Sequence, residues 1–252
     1  MISKSIIKLI RSLEHKKFRT EHQLFVAEGN KIVSELILSK HPIEYLIATE
    51  KWIKEQKTLP KINLIEVTEK ELERISFQKT PQHVLAVCRI EKNELNISDL
   101  KNSLSLALDD VQDPGNVGTI IRIADWFGIK NILASHSTAD VYNPKVIQAT
   151  MGAFARVNVH YFDLAEFLQQ QKNNIPIYGT TLDGKNIYSQ NLKPNGIIVM
   201  GSEGNGISKE VQKTLTHKLF IPPFTDGEPV CESLNVATAT AIVCAEFRRQ
   251  LL

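Results

Sequence analysis

The sequence predicts an α/β fold in two parts: a small N-terminal α/β domain and a larger C-terminal parallel sheet with helices on both faces. Three observations carry this. Strand-like apolar runs alternate with helical patterns along most of the 252 residues. The C-terminal runs are apolar at nearly every position, as strands buried on both faces are. The polar stretch over residues 91–102 breaks the pattern, which separates residues 1–90 from residues 104–252 and leaves 91–103 as the connection.

The first domain opens on a helix over residues 3–13. Ile6, Leu9, Ile10 and Leu13 share one face, and Lys4, Lys8 and Arg11 share another. Leu24-Phe25-Val26-Ala27 reads as a short strand, and Glu28-Gly29 leads from it into a helix over 30–39. Strands are expected near 44–48 and 63–67. Thr68 and Glu71 have capping-box spacing for a helix at 69–75, and 83–88 is again strand-like. In the second domain, residues 104–109 form the first buried strand, with others at 131–134, 157–161, 175–180, 197–200 and 218–221. Helical patterns lie at 119–127, 144–150, 163–171, 207–215 and 235–250. Sheets of this kind bind ligands where the strands end, so the informative loops follow Asp109, Thr180, Met200 and Ile221.

Composition removes several function classes. With 42% hydrophobic and 23% charged residues the chain can bury a core, which excludes disorder. No apolar run is long enough to cross a bilayer, and the basic N-terminus has no signal-peptide core. Cys88, Cys231 and Cys244 show no CxxC spacing, and the seven histidines show no ligand spacing; no metal is expected, and a reducing cytoplasm fits. Net charge is only +2, but it is uneven. Within the first twenty residues Lys4, Lys8, Arg11, Lys16, Lys17 and Arg19 face only Glu14, a patch that can engage phosphates. A solvated helix face reads equally well from charge alone.

Three segments carry chemistry. Asp113-Pro114-Gly115-Asn116-Val117-Gly118-Thr119-Ile120-Ile121-Arg122 is a tight strand-to-helix turn whose backbone N–H groups and Arg122 suit a phosphate. Val199-Met200-Gly201-Ser202-Glu203-Gly204-Asn205-Gly206-Ile207-Ser208 places three glycines after a buried strand. It is neither a dinucleotide fingerprint nor a P-loop, and its single charge, Glu203, needs a partner. Glu232-Ser233-Leu234-Asn235-Val236-Ala237 opens the last helix, with Ser233 or Asn235 as its N-cap.

Together, in this order, the three segments resemble the SpoU/TrmH family of RNA 2′-O-methyltransferases of the SPOUT class. The stretches Leu24-Phe25-Val26-Ala27-Glu28-Gly29 and Thr80-Pro81-Gln82-His83-Val84-Leu85-Ala86-Val87 look like that family's substrate-binding domain. The resemblance implies a trefoil-knotted C-terminal domain, a homodimer, S-adenosylmethionine as cofactor and RNA as substrate, ribosomal RNA ahead of tRNA. It implies catalytic positions at Asn116, Arg122, Glu203, Ser233 and Asn235, with Glu203 orienting Arg122 or relaying a proton. It implies cofactor contacts at Thr181, Leu182, Met200, Gly201, Gly204, Ile221, Pro222, Ser233 and Leu234. The sequence departs from the family pattern in a longer stretch from Pro223 to Cys231, which carries two acids and an extra proline, and at His83, where glycine is common. The alternative is a protein that kept the fold and only binds RNA.

Overall fold

A computed structural model describes residues 2–91, 93–224 and 233–252. In chain order its first half comprises α1 (Lys4–Ser12), α2 (Lys16–His22), β1 (Leu24–Glu28), α3 (Asn30–Leu38), β2 (Ile43–Thr49), α4 (Glu50–Glu55), β3 (Leu64–Val67), α5 (Glu69–Ile75), β4 (Val84–Arg89) and α6 (Ile97–Asn102). The second half comprises β5 (Leu104–Asp109), α7 (Pro114–Trp126), β6 (Asn131–Ser135), α8 (Pro144–Thr150), β7 (Asn158–Phe162), α9 (Leu164–Gln171), β8 (Ile177–Asn186), β9 (Gly196–Gly201), α10 (Lys209–Gln212), β10 (His217–Phe220) and α11 (Val236–Arg249). Two compact units result: residues 1–93 with 140–155, and residues 94–139 with 156–252.

The first unit is built on a four-stranded sheet in the order β1-β4-β2-β3. β4 is antiparallel to both neighbours, and β2 is parallel to β3. The apolar face of α1 packs with α5 on this sheet through Ile10, Leu13, Val26, Ile47, Leu72 and Leu85. The expected capping box holds: the Thr68 side chain accepts from the Glu71 N–H, and the Glu71 carboxylate accepts from the Thr68 N–H. Residues 140–155, which the sequence reading places in the C-terminal part, pack here instead. Ring centroids put Tyr142 at 4.8 Å and Phe154 at 5.6 Å from Phe25 of β1, and Gln78 Nε2 donates to Gln148 Oε1 at 2.8 Å.

Glu28, at the end of β1, is buried. It accepts a short hydrogen bond from Ser76 Oγ and one of 2.8 Å from the Phe77 N–H. Burial pushes its carboxyl above the ordinary range, against the pull of those two bonds and of the Arg11 charge. The native state therefore holds the proton more tightly than the unfolded chain does. The resulting stabilisation is complete below the ordinary value of 4.5 and is lost as pH rises through the raised one. The neutral variant Glu28→Gln should then melt progressively higher than wild type as pH climbs from 4 to neutrality. A gap that stays constant with pH would count against this account.

The second unit is an all-parallel six-stranded sheet in the order β10-β8-β9-β5-β6-β7. Every residue of the central strand β5 is buried, which requires cover on both faces. Leu100, Leu164, Leu168 and Val211 bring α6, α9 and α10 into one cluster with Ala107, Leu133 and Val199 of the sheet. α7 and α11 pack against each other and against β6 and β9. The expected α/β architecture with a parallel sheet is thus present.

Four elements of this unit differ from expectation, the first being α7, which begins at Pro114 and not at residue 119. The polar connection contains α6, which forms because Asn96 caps it and Leu100 is buried. The helix expected over 207–215 is the single turn α10. The strand expected over 175–180 runs on to Asn186. Along β8 the pairing with β10 jumps from Gly179–Lys218 to Lys185–Leu219, so residues 180–184 leave the ladder. The excursion closes on Gly184, where a Cβ would lie 2.5 Å from the Leu219 carbonyl carbon.

A candidate active site at the carboxyl ends of the central strands

Three separate segments present one side chain each. The first is the turn after β5, where Asp113 is the N-cap of α7. Its Oδ1 accepts from the Asn116 N–H at 2.8 Å, and Pro114 occupies the first helical turn. This fixes Asn116 in the opening turn of the helix. The second is the loop after β9. Ser202 and Gly206 exchange both backbone hydrogen bonds, at 3.1 and 2.9 Å, and close a tight turn with Glu203 in it. A Cβ on Gly201 would lie 2.1 Å from the Gly206 carbonyl carbon, so this fold of the loop needs glycine there. Asp109 secures its far end, accepting from the Ser208 N–H at 2.7 Å. The third is the start of α11, where Asn235 Oδ1 accepts from the N–H groups of Ala237 and Thr238 at 3.0 and 3.1 Å. The N-cap is therefore Asn235 and not Ser233.

These residues meet. Asn116 Nδ2 donates to Glu203 Oε1 at 3.0 Å. Asn235 Nδ2 donates to the same oxygen by a short bond and to Asn116 Oδ1 at 2.9 Å, and the Val236 N–H reaches Glu203 Oε1 at 3.3 Å. Three donors thus converge on one carboxylate oxygen, which supplies the partners that a charge in a glycine-rich loop requires. Oε2 of Glu203 has no hydrogen-bond partner among the described residues. Asn116 and Glu203 line a cleft of about 250 Å³ together with Asp110, Gln112, Asp113 and Ser202.

Two expected members stand apart. Arg122 is exposed and makes no hydrogen bond or ion pair among the described residues. Six residues along a helix is a rise of about 9 Å and a rotation of about 240°, so Arg122 and Asn116 lie on different faces of α7. The expected pairing of Glu203 with Arg122 is not what the structure holds: Glu203 binds the two asparagines. Ser233 is exposed and outside the network. Glu232, Cys231 and most of the long Pro223–Cys231 stretch lie outside the described residues. Asp110, Gln112 and Asp113 line the cleft without being among the expected site residues. The Asp113-to-Asn116 capping spacing was the one available signal.

Most positions expected to hold a cofactor lie in or just after neighbouring strands, and two lie at the start of α11. Thr181 and Leu182 lie in the β8 excursion, Met200 and Gly201 end β9, and Gly204 lies in the Glu203 turn. Ile221 and Pro222 follow β10, and Ser233 and Leu234 precede α11. Since β10, β8 and β9 are adjacent in the sheet, these loops share one edge. Leu182 and Leu234 are 79% and 46% exposed, apolar surface of the kind that a flat, uncharged ring system covers. The residues present therefore fit a nucleoside-bearing ligand.

The basic N-terminal patch is divided. Lys4 and Lys8 on α1, and Lys16 and Lys17 on α2, are exposed. Arg11 is exposed but donates to the Ser76 carbonyl at 3.0 Å and lies over the Phe77 ring. Arg19 does not belong with them. It is 3% exposed, paired with Asp140 at 2.6 Å, and donates to the carbonyls of Leu13 and Glu14. Burial and full pairing leave it nothing to offer a phosphate.

The fold is shared with known proteins. Residues 103–245 match the SpoU rRNA Methylase family, and residues 4–86 match the MRM3-like substrate binding domain. A putative RNA methyltransferase of the TrmH family from Porphyromonas gingivalis is 41% identical, with a TM-score of 0.89 and 99% of each chain covered. The AdoMet-bound rRNA methyltransferase of Sinorhizobium meliloti is 28% identical, with a TM-score of 0.84 over 100% of this chain and 98% of its own. The 23S rRNA (guanosine(2553)-2′-O)-methyltransferase of Bacillus subtilis is 27% identical over 245 residues, 94% of each chain.

Proposed function

The chain belongs to the SpoU rRNA Methylase family, and from that premise we propose that it methylates a ribose 2′-hydroxyl in ribosomal RNA. It is an RNA methyltransferase, and its methyl donor is S-adenosylmethionine. The observation that carries the ribose reading is the Asn116–Glu203–Asn235 network, assembled from three distant segments around one cleft. The donor supplies an electrophilic methyl group on a sulfonium when bound.

The chain must align the hydroxyl with that methyl and accept the proton. Both asparagine amides are oriented by Glu203 Oε1, so Asn116 is held ready for the ribose. Oε2 of Glu203, without a partner among the described residues, is the acceptor for the hydroxyl proton. Thr181, Leu182, Met200, Gly201, Gly204, Ile221, Pro222, Ser233 and Leu234 enclose the donor, mainly through backbone groups. Arg122 grips a phosphate, since a guanidinium is a poor proton acceptor and a good anion clamp. Lys4, Lys8, Lys16 and Lys17 give the RNA a sequence-independent hold.

The working form is a homodimer. Thr119, Arg122 and Trp126 form an exposed stripe on α7 at helical spacing, and Thr238 and Ala245 are exposed on the packed neighbour α11. Trp126 is 86% exposed, costly for a large apolar side chain unless a second copy covers it. Arg122 belongs to this same exposed stripe and is not among the residues that line its own cleft. Trp126→Glu is expected to weaken the dimer by about 30-fold or more, as an interface anchor does, and sedimentation velocity across a concentration series reads this directly. A wild-type chain that sediments as a monomer at every concentration would end the dimer reading.

The decisive assay is methyl transfer from labelled S-adenosylmethionine to ribosomal RNA from cells lacking the gene, followed by mapping of 2′-O-methylated positions. One new modified position is expected. An RNA-binding protein without catalysis would give none, even with the donor bound by calorimetry.

A further inference from the structure

We propose that Lys185, Lys193 and His217 form a second hold on the RNA backbone, on the β8–β10 side of the second unit and apart from the cleft. The inference goes beyond the ribose reading: it concerns where the RNA runs, whichever atom receives the methyl group. All three side chains are exposed. One buried tyrosine positions two of them. The His217 ring stacks on Tyr178 with centroids 4.8 Å apart, and the Lys193 N–H donates to the Tyr178 hydroxyl at 3.4 Å. Tyr178 is itself 2% exposed and packs edge-on against Phe247 of α11 at 4.9 Å, so the core fixes this platform. His217 Nδ1 and Thr216 Oγ1 also share a hydrogen bond of 2.8 Å. Lys185 stands where β8 rejoins the ladder, opposite Leu219 of β10.

Two further observations point to an anion. Among the described residues neither the Lys185 nor the Lys193 ammonium makes an ion pair or a hydrogen bond, whereas their neighbour Lys218 is neutralised by Asp183 at 2.6 Å. His217 titrates below its ordinary range, through partial burial first and then through the charges of Lys193 and Lys185. The three groups thus share a positive potential that no acid offsets. Protection of a sheet edge does not account for it. Lys218 of the edge strand β10 serves that purpose, but Lys185 lies on the interior strand β8 and Lys193 in a loop. Like charges held together and left unpaired suit a polyanion, and an RNA methyltransferase has one as its substrate. His217 opens β10, and Ile221, one of the proposed donor contacts, lies four residues or about 13 Å further along. An RNA strand crossing this face is therefore within a few nucleotides of the donor.

The test measures binding of the full-length protein to ribosomal RNA from cells lacking the gene, across a salt series. Lys185→Gln and Lys193→Gln are made singly and together. Lys130→Gln is the control, an exposed lysine that precedes β6 in the other half of the same sheet. The double variant is expected to bind RNA about 10-fold or more weakly at about 0.1 M salt, and the slope of log affinity against log salt should fall by about 1.5, the loss of two phosphate contacts. KM for RNA should rise by the same factor at unchanged kcat. Melting temperature and calorimetric affinity for S-adenosylmethionine should stay at wild-type values, and the double Lys→Arg variant should keep both the affinity and the slope. Unchanged RNA affinity and slope in the double Gln variant overturns the proposal. So does a loss per charge no greater than that of Lys130→Gln, which is an effect of net charge alone, or a loss that the Lys→Arg variant shares. Wild-type protein that binds no ribosomal RNA overturns the choice of RNA as well.

Discussion

Asn235→Asp is expected to lower methyl transfer by at least about 100-fold, the usual effect of losing one preorganised polar group at a reaction centre, and to leave the fold nearly intact. The side chain does two jobs that substitution can separate. Its oxygen caps α11 through Ala237 and Thr238, and its amide nitrogen bridges Glu203 and Asn116. Aspartate keeps an oxygen for the cap and sets a carboxylate against Glu203 in place of a donor. Glu203 must then turn away or take up a proton, and either outcome loses the alignment of Asn116 and the acceptor for the hydroxyl proton. Asn235→Ser also keeps a cap and removes both donors. Asn235→Ala loses the cap as well, a further destabilisation of about 1 kcal/mol. Melting temperatures should therefore group wild type, Asp and Ser together above Ala, whereas activity should set wild type apart from all three. Turnover that tracked melting temperature across the series would show that the residue acts through the helix and not through Glu203.

The sequence made the parallel sheet legible because its strands are buried on both faces and so read as unbroken apolar runs; β5 and β9 were placed almost to the residue. Residues 180–184 were not legible. Leaving a ladder depends on what β10 offers across it, and no local pattern records that. The site was legible as three motifs but not as a network. Asn116, Glu203 and Asn235 meet because β9 lies beside β5 and α11 packs on α7, and sheet order is a tertiary fact. The separation of Arg122 from Asn116 follows from six residues of helix, but the sequence pattern starts that helix at residue 119, so Asn116 does not read as helical there. Arg19 shows the limit of charge counting. Six cations facing one acid read as a surface patch, and nothing within twenty residues signals that one of them has an acid 121 positions away.

That distant pair gives the largest expected effect on stability. Arg19 of α2 holds Asp140 through Nη2 at 2.6 Å and Nε at 3.2 Å, and its other nitrogen donates to the carbonyls of Leu13 at 2.9 Å and Glu14 at 2.7 Å. The arginine side chain is 4% exposed and that of Asp140 16%. One guanidinium thus closes the turn between α1 and α2 and ties residues 140–155 to the rest of their unit. Arg19→Ala strands a nearly buried carboxylate and two carbonyls, and breaking such a pair destabilises by about 3–5 kcal/mol, roughly 13–22 °C in melting temperature for a unit of this size. Arg19→Lys should recover little, since a single ammonium cannot serve both the carbonyls and Asp140 in this fork geometry. Asp140→Leu combined with Arg19→Met should cost less than the two single changes added, because apolar replacement of both partners removes the stranded charge. RNA affinity separates this account from a phosphate contact. Lys17→Ala should weaken RNA binding and flatten its salt dependence at an unchanged melting temperature, whereas Arg19→Ala should do the reverse at temperatures where the variant is folded. An Arg19→Ala protein with wild-type melting and weakened RNA binding would return the residue to the patch.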